Sequence, residues 1–222
     1  LRQNQVAAAD VYNEFVDDSD ENLPGVLYRA AEIFLGYNQF EEARRRFLEL
    51  LERFPAHETA VYASNLVIES HLAEKNFQAV EEFTRKLLSS DRVKSESRRE
   101  FEGNLIKFKT GAMFKRAESL SGKEEIEEAS ALYVKLVDEN PGTEFADLAL
   151  NNAAVGYEKV KRYDSASKLY ERIVREYPSS SRADSALFRV ALNAERFFDF
   201  DKAIGTYNKL IQDYPDSQSR AD

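Results

Sequence analysis

The end of the chain is written twice. Arg162 to Leu187, RYDSASKLYERIVREYPSSSRADSAL, is echoed by Phe198 to Asp222, FDFDKAIGTYNKLIQDYPDSQSRAD, so that Tyr177-Pro178 returns 37 residues later as Tyr214-Pro215. Self-similarity at a period of roughly 20 to 50 residues is the mark of stacked repeats. A unit this short cannot bury its apolar face alone and must pack on its neighbours, so length is no guide to the number of domains.

Each unit reads as two helices. In residues 23–55, Leu27, Ala30, Ala31 and Phe34 recur at helical spacing, Gly36 and Asn38 interrupt, and Phe40, Ala43, Phe47, Leu50 and Leu51 mark a second amphipathic stripe. Phe54-Pro55 ends it, because the residue before proline is pushed out of the α region. The plan predicts further units at 56–91, 92–141, 142–178 and 179–215, with a partial unit at 1–22 and another opening at 216–222, a single array within a longer protein. Ala43, Ala79, Ala129, Ala166 and Ala203, taken as the small residue of each second helix, are separated by 36, 50, 37 and 37 residues. The surplus in the third unit predicts a long first helix from about Ser97 to Leu120, in which Gly103 and Gly111 point to a bend or a close helix approach.

Composition fits a packed chain, with 43% hydrophobic and 32% charged residues and no apolar run long enough to cross a membrane. There is no cysteine, which excludes disulfides, thiolate zinc sites and thiol catalysis. A net charge of −9 disfavours nucleic acid as a partner, since binding to phosphate relies on clustered Lys and Arg. The acidic run Asp17, Asp18, Asp20 and Glu21 reads as a solvated loop.

In the fourth unit Leu150, Ala153, Ala154, Tyr157, Ala166, Tyr170, Ile173 and Pro178 fall at spacings that resemble the tetratricopeptide repeat. Leu187, Val190, Ala191, Ala203, Tyr207, Leu210 and Pro215 follow the same pattern. The resemblance implies an all-α solenoid, a right-handed superhelix of antiparallel helix pairs, working as a non-catalytic scaffold that holds a protein or peptide partner. The chain departs from the family in lacking Trp, in its unit length and in its stretched third unit. The Tyr-Pro-x-Ser boundaries at 177–180 and 214–217 look like those of bacterial cell-envelope members, among them outer-membrane assembly lipoproteins and Tol-associated coordinators. That likeness implies a periplasmic or envelope setting, with a cytoplasmic scaffold as the alternative.

No catalytic constellation, metal site or cofactor motif is found. His57 and His71 are the two histidines and lack metal-ligand spacing, and no glycine-rich phosphate loop occurs. Glu124, Glu125, Glu127 and Glu128 stand at a predicted helix start, where acids complement the dipole. In the resembling repeats, first helices line a concave groove, and the position two residues after the leading apolar one points into it. That position reads Arg29, Asn65, Lys115, Asn152 and Arg189: five donors and no acid. Such a row suits the carbonyls or carboxylates of an extended peptide. Tyr28, Phe114 and Phe188 would add apolar anchors, and Glu195 and Arg196 would lie deeper.

A second candidate is basic. Ten basic residues stand against four acids between Arg85 and Arg116, with Arg92, Lys94, Arg98, Arg99, Lys107 and Lys109 at its centre, a patch that an acidic partner surface, anionic lipid headgroups or the chain's own acidic neighbours would answer. Two other readings compete with the scaffold: a regulatory or substrate-positioning segment of a larger enzyme, and a self-assembly module that forms homo-oligomers through exposed end repeats.

Overall fold

The computed structural model describes residues 22–93 and 98–218. The expectations for residues 1–21 and 219–222, and for Lys94, lie outside them. Among the described residues there are ten α-helices and no strand. The chain forms two compact units, residues 1–112 and 113–222.

The first unit holds α1 (Leu23–Gly36), α2 (Phe40–Arg53), α3 (Thr59–Ala73), α4 (Phe77–Leu88) and the start of α5 (Arg98–Gly122). Consecutive helices from α1 to α4 pack together, and α1 also meets α3. Its core is built on Leu27, Ala31, Phe34, Phe47, Leu50, Val67, Ile68, Val80 and Leu105. The second unit takes the end of α5, then α6 (Ile126–Glu139), α7 (Ala146–Lys159), α8 (Tyr163–Glu176), α9 (Ala183–Arg196) and α10 (Phe200–Asp213). From α6 to α10 each helix packs on the next. Leu136, Leu150, Ala153, Ala166, Tyr170 and Ile173 fill its core. Each stripe follows the 3.6-residue period, so burial of one face against a neighbour is what fixes these helices.

Every pair turns on the same joint. The first helix ends with one residue at positive φ, namely Asn38, Lys75, Glu124, Lys161 and Phe198, none of them glycine. Around Asn38 the amide of Gln39 donates to the Phe34 carbonyl and that of Asn38 to the Leu35 carbonyl, and the same two bonds recur at the other four joints. This is the Schellman arrangement, which satisfies the otherwise orphaned last carbonyls of a helix.

The joints also fix the register, and they correct one reading of the sequence. Counted from its positive-φ residue, the small, close-packed residue of the second helix is Ala43, Val80, Ala129, Ala166 and Ala203, all buried. Val80, fully buried, takes the place expected for Ala79, which is only half-buried and whose amide is capped by the Asn76 side chain at 3.2 Å. The residue preferred on size was the smaller of two neighbours, but the helix start at Phe77 sets the phase.

The long first helix is present and runs unbroken through Gly103 and Gly111, where an added Cβ would meet nothing within 4 Å. The expected close approach lies elsewhere. At Gly156 of α7 a Cβ would collide with Ser130 Oγ of α6 and come within 3.3 Å of the Ile126 methyl.

The Tyr-Pro boundaries are fasteners as well as stops. Tyr177 Oη donates to the Pro141 carbonyl, one boundary back, at 2.8 Å. Asp147, in the first turn of α7, accepts from Ser180 Oγ at 2.5 Å and from Arg182 at 2.9 Å. Ser217 Oγ donates in the same way to Asp184 of α9, at 2.7 Å. Burial works against the charge of Asp147, yet these bonds and the Leu148 amide hold its carboxyl below the usual aspartate range.

Candidate functional site

The first helices expose one row of side chains nine residues before each joint. In the first unit it holds Arg29 and Leu66, and in the second Lys115, Asn152 and Arg189. Four of the five anticipated donors keep their place. Asn65 does not, because the register of the second pair is one residue off the sequence-based alignment, and half-buried Leu66 stands in the row instead.

Asn65 falls in the slot of Tyr28 and Phe188, and this slot faces into the helix pair. Tyr28 packs on Phe47 at 5.8 Å, Phe114 on Tyr133 at 5.2 Å and Phe188 on Tyr207 at 5.8 Å, in each case an aromatic 19 residues later on the second helix. Phe114 is 5% exposed and also stacks within 5.2 Å of Phe145. It is core rather than an anchor for a ligand. Asn65, with no ring to offer, leaves its Oδ1 buried without a hydrogen-bond partner.

Three of the donors are matched by acids. Arg29 Nη1 pairs with Glu32 at 2.9 Å and Lys115 Nζ with Glu118 at 2.8 Å, one helical turn on. Arg189 reaches Glu158 of α7 at 3.3 Å. Asn152 bonds the Tyr133 hydroxyl, while burial and Glu118 push that phenol up. The face is therefore zwitterionic. An i+3 acid was legible at Glu32 and Glu118, whereas Glu158 is 31 residues from Arg189 and was not.

Glu158 is the centre of the second unit's face. Its carboxylate, with a side chain only 11% exposed, takes Arg189 on one oxygen and Asn193 on the other, the latter at 3.0 Å. Arg196 donates to Asn193 Oδ1 at 3.2 Å and lies 4.7 Å over the Tyr163 ring. Tyr170 beneath is buried, and burial together with the charge of Glu158 pushes its phenol well above the ordinary value. Glu195 instead serves Tyr207, whose phenol is raised by burial and by that carboxylate. In the first unit, Val26, Tyr28, Arg29, Ile33, Thr59 and Tyr62 line a groove of about 910 Å³ between α1 and α3.

Two residues of the basic stretch, Arg98 and Arg92, are employed in holding the backbone. Arg98 donates to the Val93 and Ser90 carbonyls at 3.1 and 3.2 Å and pairs with Glu102 and Asp91, fastening the connection before α5. Arg92 donates to the Glu52 carbonyl at 3.4 Å. Arg99 and Lys107 are exposed, and Lys109 is half-buried. Among the described residues no His, Cys, Asp or Glu cluster is placed to hold a metal ion, and no helix is long and apolar enough to cross a membrane. His57 Nδ1 accepts from the Thr59 amide at 3.3 Å at the start of α3. His71 is half-buried near Arg44, and burial first, that cation second, depress its pKa.

The family model for the tetratricopeptide repeat matches residues 26–57, 149–180 and 185–217. No curated protein matches the chain. Among solved structures, the chain is similar to YrrB, described as a TPR protein with an unusual peptide-binding site. That pair shares 15% identity over 96% of this chain and 97% of the other, at TM-score 0.37. MamA aligns at 13% identity over 87% and 93%, TM-score 0.41, and BtubC from P. vanneervenii at 13% over 96% and 90%, TM-score 0.41. The fold assignment rests on the helices and the matched segments. The matched segments carry tetratricopeptide repeats, and the fold of the chain is the all-α, TPR-like array of antiparallel helix pairs.

Proposed function

We propose that this chain is a non-catalytic scaffold that captures an extended peptide of a partner protein on the first-helix face of its second unit. The observation that carries this reading is the pairing of Arg189 with Glu158. It is a single 3.3 Å contact to a guanidinium that is 44% exposed, beside Asn152 and Lys115 in the same row. A guanidinium held by one long bond keeps its forked geometry for an incoming carboxylate or carbonyl. Glu118, 44% exposed, accepts from the peptide's amides, so the preferred ligand offers both signs and not an acidic tail alone. A bacterial envelope assembly is proposed as the setting on the Tyr-Pro-x-Ser boundaries alone.

The test is capture of partners by the wild-type chain and by Asn152→Ala/Arg189→Ala. Binding should fall at least tenfold in a variant that circular dichroism shows to be folded, the melting temperature dropping modestly for the lost bonds to Tyr133 and Glu158. Unaltered capture would overturn the assignment of this face.

A further inference from the structure

The joints of the helix pairs lie along an edge that stays open when the next pair is in place. At all five joints the positive-φ residue and the positions one and three after it are exposed, although a further helix follows each of the first four pairs. Four joints put a polar residue at the positive φ: Asn38, Lys75, Glu124 and Lys161. The fifth puts Phe198 there, at φ 59° and 80% exposed. A bulky side chain is strained in the left-handed region, and an exposed ring is unfavourable in water, so this residue opposes local preference twice over. Such a residue persists where something other than local preference selects it.

The ring has company. Phe198 meets Phe200 at 6.3 Å, and Phe197, 57% exposed, meets Tyr163 of the preceding joint at 6.3 Å. Two exposed acids adjoin them: Asp199, one oxygen of which caps the Lys202 amide at 3.1 Å, and Asp201. The preceding joint carries the complement. Lys159, Val160 and Lys161 are all exposed there, while their neighbours Arg162 and Asp164 are matched by Glu127 at 3.1 Å and Lys168 at 2.7 Å. One edge of the second unit therefore sets an aromatic, acidic joint beside an apolar, basic one, the two touching through Tyr163 and Phe197.

We propose that this edge joins a second copy of the chain about a two-fold axis, the Phe198 joint of each molecule lying on the Lys161 joint of the other. Charge selects that register. Joint on like joint would set Asp199 and Asp201 against their own copies, whereas the crossed register sets them against Lys159 and Lys161 and puts Phe198 on Val160. The contact is isologous, so it is made twice and closes at a dimer. It lies nine residues from the Arg189 row and does not depend on the peptide capture proposed for that face.

The test is the mass of the 222-residue chain in solution, by sedimentation equilibrium across a wide concentration range. The wild type should pass from its single-chain 25.4 kDa to twice that value and stop there. Phe198→Asn installs the residue of the first joint at a φ that suits it, and should weaken association at least tenfold while melting no lower than the wild type. Lys161→Glu, which installs the residue of the third joint, and Asp201→Lys should each weaken association as well. The double variant Lys161→Glu/Asp201→Lys, with both charges reversed, should recover most of it. Circular dichroism melting establishes that each variant folds. A wild type that stays monomeric, or a mass that climbs past the dimer, overturns the proposal. So does association untouched by Phe198→Asn, or a double charge reversal that associates no better than the single ones.

Discussion

Ser130 Oγ of α6 occupies the place that a Cβ on Gly156 of α7 would take. At Gly156 α6 and α7 approach too closely for a Cβ, and the glycine's hydrogen is what fits there. Gly156→Ala should therefore destabilise the second unit by about 1 to 3 kcal/mol through overpacking. Combined with Ser130→Ala, which removes the opposing hydroxyl, most of that loss should return. A denaturant midpoint for the double variant no higher than for Gly156→Ala would refute the contact.

The five joints give a second expectation. Lys161 sits at φ 61°, a conformation that costs an ordinary L-residue about 1 kcal/mol and glycine nothing. Lys161→Gly should be neutral to stabilising by up to about 1 kcal/mol. Lys161→Val, β-branched, should destabilise by more than that. Equal melting temperatures for the two variants would contradict the left-handed joint.

His71 makes the first unit sensitive to mild acid. Its pKa is depressed in the fold below the ordinary 6.5, so the unfolded chain binds the proton more tightly. The stability contributed by neutral His71 is complete above pH 6.5 and declines as pH falls from there toward the lower folded value. His71 stands in the joint position held by Phe34 in the first pair. His71→Phe should flatten the change in melting temperature between pH 7.5 and 5.5, and an unchanged slope would show that another group titrates.

The Asp147 fastening titrates in a lower pH window than His71. Its carboxyl is depressed in the fold, so its contribution is present above the ordinary aspartate value of 3.8 and is lost as pH falls through the folded value. Asp147→Asn should cost about 1 kcal/mol at pH 7. The gap between variant and wild type should narrow in acid, measured by chemical denaturation at pH 7 and pH 3.

The helix pairs were legible because apolar periodicity, proline stops and a 37-residue step kept by all but the stretched third unit describe the same unit. What misled was choosing a register from residue size: Ala79 and Val80 are both small enough, and only the start of α4 at Phe77 decides between them. That one-residue slip moved Asn65 into a row that Leu66 occupies. The aromatic before each donor looked like an anchor for the same reason, since sequence marks a helical face but not which neighbour lies on it. Glu158 was invisible because its partners come from another helix, 31 and 35 residues on.

Asp147 waits for partners that lie 33 and 35 residues downstream. During synthesis at about 5 to 20 residues per second, that interval is roughly 2 to 7 s in which α7 has emerged and its first turn is still open. The fastening thus gives the chain a direction in time: each pair is completed by the arrival of the next. A nascent chain stalled before Ser180 should expose the start of α7 to proteolysis that the finished protein resists.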